Sequence, residues 1–232
     1  MNYNNWNKNN YNNFINYLFT LQDEKYKKLQ EKIIKNNNIK IIGIRVPTLK
    51  KIAKELSKFN YKDFIKYNKH EYLEENILHG LVLGYIKDEK KLLKEINKFI
   101  PFINNWETCD IVCSNLKQFK KINIDIINTY INNNPWSQRF GLVLLLDHYI
   151  KEENLKFIFN KCNNIITEEY YVKMAISWLL SICYIKYPSH TLTYLKTANL
   201  EKFTHNKTIS KICDSKRVKS ETKNILKKLR KK

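Results

Sequence analysis

Trp106 and Asp110 lie four residues apart, a spacing that places two side chains side by side on one face of a helix. An indole face attracts a cation, and a carboxylate stabilises positive charge that develops in a transition state. The pair therefore suits chemistry in which a neighbouring group becomes positively charged. A tryptophan on an amphipathic helix is also commonly a core residue, and an acid can pair with any nearby lysine, so the pair alone leaves both interpretations open.

The charge of the chain bears on this choice. Its 232 residues carry a net charge of +20, from 42 Lys+Arg against 22 Asp+Glu, which favours a polyanion as partner. An acid on a phosphate-binding surface opposes binding, so we expect Asp110 to have another task. Arginine is rare here, which makes Arg139, inside a structured segment, more informative than a lysine. A solvated lysine-rich surface without a nucleic-acid role is the alternative.

Composition limits the class of protein. The hydrophobic fraction of 43% can form a sizeable core, and no apolar run is long enough to span a membrane. The first residues lack the pattern of a signal peptide, and five cysteines fit reduced thiols. We therefore expect a cytoplasmic protein that does not act at a membrane.

Several catalytic and metal-binding motifs are missing from the sequence. It has no Gly-rich phosphate loop, no HExxH and no zinc-deaminase signature. Cys109 and Cys113 could share a helix face, but buried thiols are the more typical interpretation. His79 and His148 lie in apolar stretches, and a core or surface position is expected for the histidines rather than a role as catalytic base. We expect no metal site and no cofactor.

Helical periodicity recurs along the chain, and only 4 Gly and 4 Pro interrupt it. The clearest helices are expected after Pro47, around 72–85, after an N-cap at Asn105, after Asn134-Pro135, and after an N-cap at Thr167 until just before Pro188. Weaker patterns cover 11–19, 22–35, 89–99, 122–132, 152–162, 206–214 and 218–230. No segment has a convincing strand pattern.

The fold class predicted from these helices is all-α. About a dozen short helices joined by short loops favour antiparallel pairs, and their recurrence favours a right-handed HEAT-like solenoid with a concave DNA-binding face. A compact irregular bundle is the alternative. We expect one domain over 1–232, with a flexible segment at 1–10 and a basic C-terminal helix or tail at 218–232.

Five segments resemble the bacterial DNA alkylation repair family, the AlkD-like DNA glycosylases. They are NNWETCD (104–110), WSQRFGLVLLL (136–146), YYVKMAISWLL (170–180), IGIRVPTLKKIAKEL (42–56) and FTHNKTISKI (203–212). Their order and spacing carry the resemblance, which covers roughly 25–230. It implies a HEAT-like solenoid that holds double-stranded DNA with alkylated bases and hydrolyses the N-glycosidic bond of N3- or N7-alkylated purines.

The resemblance also implies roles for single residues. Trp106 and Trp178 would be aromatic walls, Asp110 the catalytic carboxylate, and Arg139 a DNA contact beside the lesion. Neither a metal nor an organic cofactor is implied. The remaining expected nucleic-acid contacts are cations elsewhere on the chain, namely Lys173, Lys207, Lys211 and Arg45.

The sequence departs from the family pattern at three places. One is the helix after Trp178, which is apolar at Leu179, Leu180 and Ile182 and less basic than in some members. Asn105 stands where well-known members have a second aromatic residue, and His205-Asn206-Lys207 stands where an Arg-rich pair is common. These departures motivate an alternative, a non-catalytic HEAT-type module that binds damaged or branched DNA. A protein-interaction solenoid is a third possibility. The leading hypothesis is a monomeric, monofunctional alkylpurine DNA glycosylase.

Overall fold

The computed structural model describes residues 6–34, 39–132 and 134–232. These residues form fourteen α-helices and no strand, with one isolated parallel bridge between Lys40 and Tyr72. The all-α prediction is therefore confirmed over the described residues. The chain divides into two compact units, Met1–Gln118 and Phe119–Lys232, while the single domain expected over 1–232 stays a prediction.

In the first unit, the odd-numbered helices from α3 onward pack against one another in sequence. α3 packs on α5 and α5 packs on α7, and we call these three helices the first row. Of the remaining helices, α4 contacts both α1 and α3, and α6 contacts α5. The described helices of this unit are α1 Lys8–Phe19, α2 Glu24–Ile33, α3 Val46–Ser57, α4 Tyr61–Tyr67, α5 Leu73–Leu83, α6 Glu89–Phe99 and α7 Trp106–Asn115.

Aromatic rings near the N-terminus pack into the hydrophobic core of the first unit. Trp6, Phe14 and Phe64 are buried, with ring centroids 5.3 to 5.6 Å apart. Edge and tilted contacts of this kind are the arrangement that aromatic quadrupoles favour. The flexibility expected for 1–10 falls partly on residues 1–5, which lie outside the described residues, whereas Trp6 is packed into the core.

The second unit has the same alternation of helices. α9 packs on α11 and α11 packs on α13, and we call these three helices the second row. α8 contacts α9, α10 and α12 contact α11, and α14 contacts α13. The described helices are α8 Ile127–Tyr130, α9 Pro135–Leu144, α10 Leu155–Asn164, α11 Tyr170–Lys186, α12 Pro188–Thr197, α13 Lys202–Asp214 and α14 Ser220–Lys227.

Local sequence signals place several helix starts correctly. The side chain of Asn105 accepts the amide of Thr108, so Asn105 is the predicted N-cap of α7. The helix predicted to start at Asn134-Pro135 is α9, and the side chain of Asn134 caps it by accepting the amide of Ser137. α6 spans the predicted 89–99, and α14 lies within the basic segment 218–232. No helix in the described part of the chain has the length and apolar character needed to cross a membrane.

Other helix predictions are wrong in detail. The hydroxyl of Thr167 accepts the amide of Glu169, two residues on, which makes a local turn rather than a cap, and α11 begins only at Tyr170. The segments predicted at 122–132 and 152–162 each open with a 3-10 turn before α8 and α10. Two helices without a clear periodic pattern, α4 and α12, were not predicted; Pro188, expected to end a helix, also begins α12.

Candidate nucleic-acid interface

The first candidate pair, Trp106 and Asp110, lies on α7. Both side chains are half-buried, whereas Cys109 and Cys113 on the same helix are fully buried. The helix therefore turns its thiols into the core and leaves the indole and the carboxylate at the surface of the unit. The predicted buried thiols are confirmed, and His79 is also buried in the core.

A close approach of α5 fixes the position of α7. A Cβ atom at Gly80 would lie 2.2 Å from a methyl group of Val112, so no other residue fits there without moving the helices apart. Gly84, the C-cap residue of α5, makes a similar approach to Asn115. The absence of two side chains thus lets α7 pack directly on the neighbouring backbone.

Glu107, which the sequence analysis did not select, anchors α7 to α2. Its carboxylate is 7% exposed and accepts hydrogen bonds from the Tyr26 hydroxyl, at 3.2 Å, and from Gln30 Nε2, at 3.1 Å. Burial raises the pKa of Glu107, and the charges of Glu74 and Asp110 raise it further. Burial also raises the pKa of Tyr26 to about 12, so this phenol stays a neutral donor.

Trp106 has its own contact with the end of α2. Its indole Nε1 donates to the carbonyl of Ile33 at 3.4 Å. Together with Glu107, this contact ties the first turn of α7 to α2 at two points. The hydrogen bonds of Glu107 and Trp106 with α2 therefore fix the orientation of the helix that carries Trp106 and Asp110.

Arg45, predicted to contact DNA, stands at the N-cap of α3. Its guanidinium pairs with Asp23 at 2.8 Å and lies over the ring of Tyr26, at 5.2 Å from the centroid. Its side chain is nevertheless 61% exposed. Arg45 therefore continues the polar chain from Tyr26 and Glu107 to the surface.

A buried carboxylate shapes the loop before Arg45. Glu74, fully buried on α5, accepts the amides of residues 42, 43 and 44 at 2.7 to 3.1 Å. Gly43 in this loop has a φ of +95°, and a Cβ there would lie 2.5 Å from that of Lys27. The motif IGIR is thus a turn wrapped around one carboxylate, with Arg45 at its exit.

Arg139 on α9 belongs to the second unit. Its side chain is 5% exposed, and its Nη1 donates to the carbonyl of Tyr171 at 2.7 Å. The guanidinium also lies 5.9 Å from the centre of the Tyr171 ring. The predicted DNA contact is therefore fixed in orientation by the start of α11, which suits a cation that must keep one geometry.

Trp178 lies on the half-buried face of α11. Positions 171, 174, 178, 182 and 185 form this half-buried stripe, whose spacing is that of one helix face. Tyr171 and Trp178 are thus two turns apart on the same face. The stripe is apolar, whereas the neighbouring positions of α13 contribute cations.

Three cations gather near this face. Lys207 and Lys211 lie one turn apart on α13, both half-buried. The pKa of Lys211 is lowered first by burial and then by the positive charges of Lys207 and Arg139, against which Asp214 acts. Cations that disfavour one another's charge form a site that an anion would stabilise.

Lys173, also predicted to contact nucleic acid, is placed differently. Its side chain is almost buried, and its ammonium lies 2.8 Å from Glu168 and 3.7 Å from Glu201. The hydrogen bond to Glu168 is the main cause of its raised pKa. The charge of Lys173 is therefore balanced within the protein, and its predicted phosphate contact stays a prediction.

The candidate residues divide between the two units. Trp106, Asp110 and Arg45 belong to the first, on α7 and at the start of α3, and Arg139, Trp178, Lys173, Lys207 and Lys211 belong to the second, on the row formed by α9, α11 and α13. Every one of them is on, or caps, a helix of one of the two rows. Among the described residues, no group of three or more side chains is arranged to hold a metal ion. Convergence of the two sets on one site stays a prediction.

Comparison with known proteins adds the family. A family model described as DNA alkylation repair enzyme matches residues 15–213. The match includes both rows and all eight candidate residues. No protein with a curated description matches the chain.

Proposed function

The chain belongs to the DNA alkylation repair enzyme family, and on that premise we propose that it is a DNA glycosylase for positively charged N3- or N7-alkylated purines in duplex DNA. The observation that carries the proposal is the half-exposed pair of Trp106 and Asp110 on one anchored face of α7. An acid fixed beside an indole is poorly suited to binding a polyanion. It is well suited to stabilising a cation formed on that polyanion.

The leaving group explains why so few residues are needed. An N3- or N7-alkylated purine is cationic, so the bond from C1′ to the base nitrogen breaks with its electron pair going to the base, which leaves neutral. The sugar becomes oxocarbenium-like, as in other glycoside hydrolysis. Water then attacks C1′ and gives up a proton.

Asp110 would act on this sugar rather than on the base. A carboxylate close to the developing charge stabilises the transition state more than the ground state, because the charge grows along the reaction. At about 4 Å and an effective dielectric near 20, a unit pair interacts by roughly 4 kcal/mol before desolvation. That corresponds to about a thousandfold in rate. Asp110 could in addition accept the proton of the attacking water.

The indoles and cations complete the proposed site. Trp106 and Trp178 would contact the cationic nucleotide through their ring faces, each gaining about 0.5–2 kcal/mol. Arg139, held by the Tyr171 carbonyl, would grip a phosphate beside the lesion. Lys207 and Lys211 would extend this grip, and the lowering of the Lys211 pKa by the charge of Arg139 supports a shared anion.

The fold proposal follows the two rows. Successive packing of every second helix is what stacked antiparallel pairs produce, which supports a right-handed HEAT-like solenoid whose concave face holds DNA. All eight candidate residues lie on a row helix or at its cap, so we place the DNA-binding side chains of each unit on its row. We further propose a monomer that acts in the bacterial cytosol or nucleoid.

Base release tests the chemistry directly. The protein is incubated with duplex DNA containing 7-methylguanine or 3-methyladenine, and free base is measured. We expect release by the wild type, a loss of about a thousandfold in Asp110→Asn, and equal or tighter DNA binding by that variant because an opposing charge is removed.

A matched acid controls for the change in net charge. Asp125 is an exposed acid of the second unit, and we expect Asp125→Asn to release base at the wild-type rate. Full activity of Asp110→Asn would refute the role of Asp110. Tight binding to damaged duplex without any base release by the wild type would instead favour the non-catalytic module.

A further inference from the structure

Four aromatic side chains form a continuous ledge across the N-terminal ends of α9, α11 and α13. The ledge consists of Trp136, Tyr171, Tyr170 and Phe203, and successive ring centroids are 5.4, 5.3 and 6.1 Å apart. Tyr170 is 54% exposed and Phe203 is 39% exposed. Large exposed rings in contact with one another are unusual on a helix surface and mark a binding site.

The rings of the ledge are held by cations. Arg139 lies over Tyr171, and the ammonium of Lys173 lies 6.0 Å from the centre of the Phe203 ring. Both cations also have partners on the protein, in the Tyr171 carbonyl and in Glu168. The ledge is therefore fixed by the second unit itself.

A cavity of about 430 Å³ adjoins the end of the ledge. Phe203 forms one wall, and the side chains of Lys202, Lys207 and Arg230 bring three cations to the same cavity. Glu201 is the one acid that lines it. Both oxygens of Glu201 accept backbone amides of α13, at 2.9 and 3.2 Å, so the negative charge caps the helix.

The position of Arg230 depends on the segment that departs from the family pattern. His205 Nε2 lies 2.9 Å from the carbonyl of Leu229, and the Asn206 side chain makes two 2.9 Å hydrogen bonds to the backbone of Lys231. These contacts fasten residues 229–231 onto α13. Arg230 Nη2 then donates to Ser210 Oγ at 3.0 Å, beside the cavity. Arg230, which follows α14, thus brings a cation from the tail to α13.

We propose that the ledge and the cavity together bind an unpaired stretch of DNA, with bases on the rings and a phosphate among Lys202, Lys207 and Arg230. Exposed aromatic faces next to a cationic groove are the combination that binds single strands, because an unpaired base offers a free face and duplex DNA does not. The net charge of +20 favours the same class of partner. This inference rests on the proposed DNA substrate and is independent of cleavage at Asp110.

Binding of a labelled oligothymidylate, compared with a blunt DNA hairpin, tests the proposal on the full chain. We expect Tyr170→Leu/Phe203→Leu to weaken oligothymidylate binding about tenfold and to change hairpin binding by less than about twofold. Arg230→Gln should weaken oligothymidylate binding about threefold and reduce its salt dependence. Circular dichroism checks that each variant is folded.

Matched variants and a second assay separate the possible outcomes. Phe59→Leu/Tyr85→Leu removes two comparably exposed rings of the first unit, and Arg217→Gln removes an exposed arginine elsewhere on the second; both should bind like the wild type. Unchanged oligothymidylate binding in the ledge variant, or equal loss on both DNAs, overturns the ledge. Base release from methylated duplex, measured on the same variants, shows whether the proposed glycosylase activity stands regardless.

Discussion

The two units bury charged side chains of opposite sign. Among the described residues, the first unit buries the acids Glu74, Glu75 and Glu107, whereas the second buries the cations Arg139 and Lys173. The acids accept hydrogen bonds from backbone amides, phenols and an amide side chain. The cations donate to a backbone carbonyl and to carboxylates. Each unit thus satisfies its buried charges internally.

The difference indicates a division of labour. The first unit uses the buried acid Glu107 to fix the helix that presents Asp110, through hydrogen bonds from Tyr26 and Gln30. The second unit fixes cations and aromatic rings, the groups that hold phosphates and bases. Variants at Asp110 in the first unit should therefore lower base release, and variants at the cations and rings of the second unit should lower DNA affinity.

The largest effect on stability is expected at Glu74. Glu74 accepts the residue 42 amide on one oxygen and the residue 43 and 44 amides on the other. Gln keeps only one of these acceptors, so at least one loop amide would face an NH₂ group and lose its hydrogen bond. We expect Glu74→Gln to lower the free energy of unfolding by about 3 kcal/mol in urea titrations. Glu71→Gln, at an exposed ion pair with Lys40, should cost less than about 0.5 kcal/mol. Equal losses of unfolding free energy in the two variants would contradict a structural role for the buried carboxylate of Glu74.

Arg139 tests the buried cation of the second unit. Arg139→Gln loses the hydrogen bond to the Tyr171 carbonyl inside the protein, and we expect unfolding to become easier by about 2 kcal/mol. DNA affinity should fall as well. Arg217→Gln, at an exposed position, is the control and should be within about 0.5 kcal/mol of wild type. A stability unchanged by the Arg139 variant would show that its burial has no structural role.

Lys211 and Lys173 test whether a lysine that is paired with acids of the protein contributes less to phosphate binding than one that lies among other cations. Lys211 shares a site with Lys207 and Arg139, so Lys211→Gln should reduce the slope of log affinity against log salt by about one. Lys173 is paired with Glu168 and Glu201, so Lys173→Gln should leave that slope unchanged. A reduced slope in the Lys173 variant would restore its predicted phosphate contact.

The smallest expected effect concerns pH and Glu107. Its pKa is raised in the folded state by burial, so below about pH 4.5 the group is protonated in both folded and unfolded chains. As pH rises from about 4.5 to the folded-state pKa, the unfolded chain loses this proton while the folded chain keeps it. The free energy of unfolding therefore falls over this range. Glu107→Gln lacks this loss, and its stability relative to wild type should rise between pH 4 and pH 8 in urea titrations. A constant difference across that range would show that Glu107 is not protonated more readily when folded.

Helix capping and composition were predictable because they are local. Asn105 and Asn134 cap helices with amides three residues away, and no partner elsewhere in the chain is required. Thr167 shows the limit of such signals, since its hydroxyl also bonds a nearby amide but forms a turn. The pair Trp106 and Asp110 was likewise readable, because four residues on a helix define one face.

The polar networks were not predictable, since they join positions far apart. Gln30 and Glu107 are separated by 77 residues, and the side chain of Asn206 and the backbone of Lys231 by 25. Sequence spacing contains no information about which of many amides and acids will meet. From sequence, His205-Asn206 is only a departure from the family pattern. The tertiary structure shows that these two residues fasten the C-terminal tail to α13.

By itself, the sequence determined that the chain is helical and strongly basic, and that one acid stands beside an indole; the order of its segments already pointed to its family. These properties depend on residue type and short spacing, which physics converts directly into helices, charge and neighbouring side chains. Only the tertiary structure decided which charges are buried, which are balanced and which face outward. That decision depends on desolvation and on partners brought together by packing, and neither is written in local sequence.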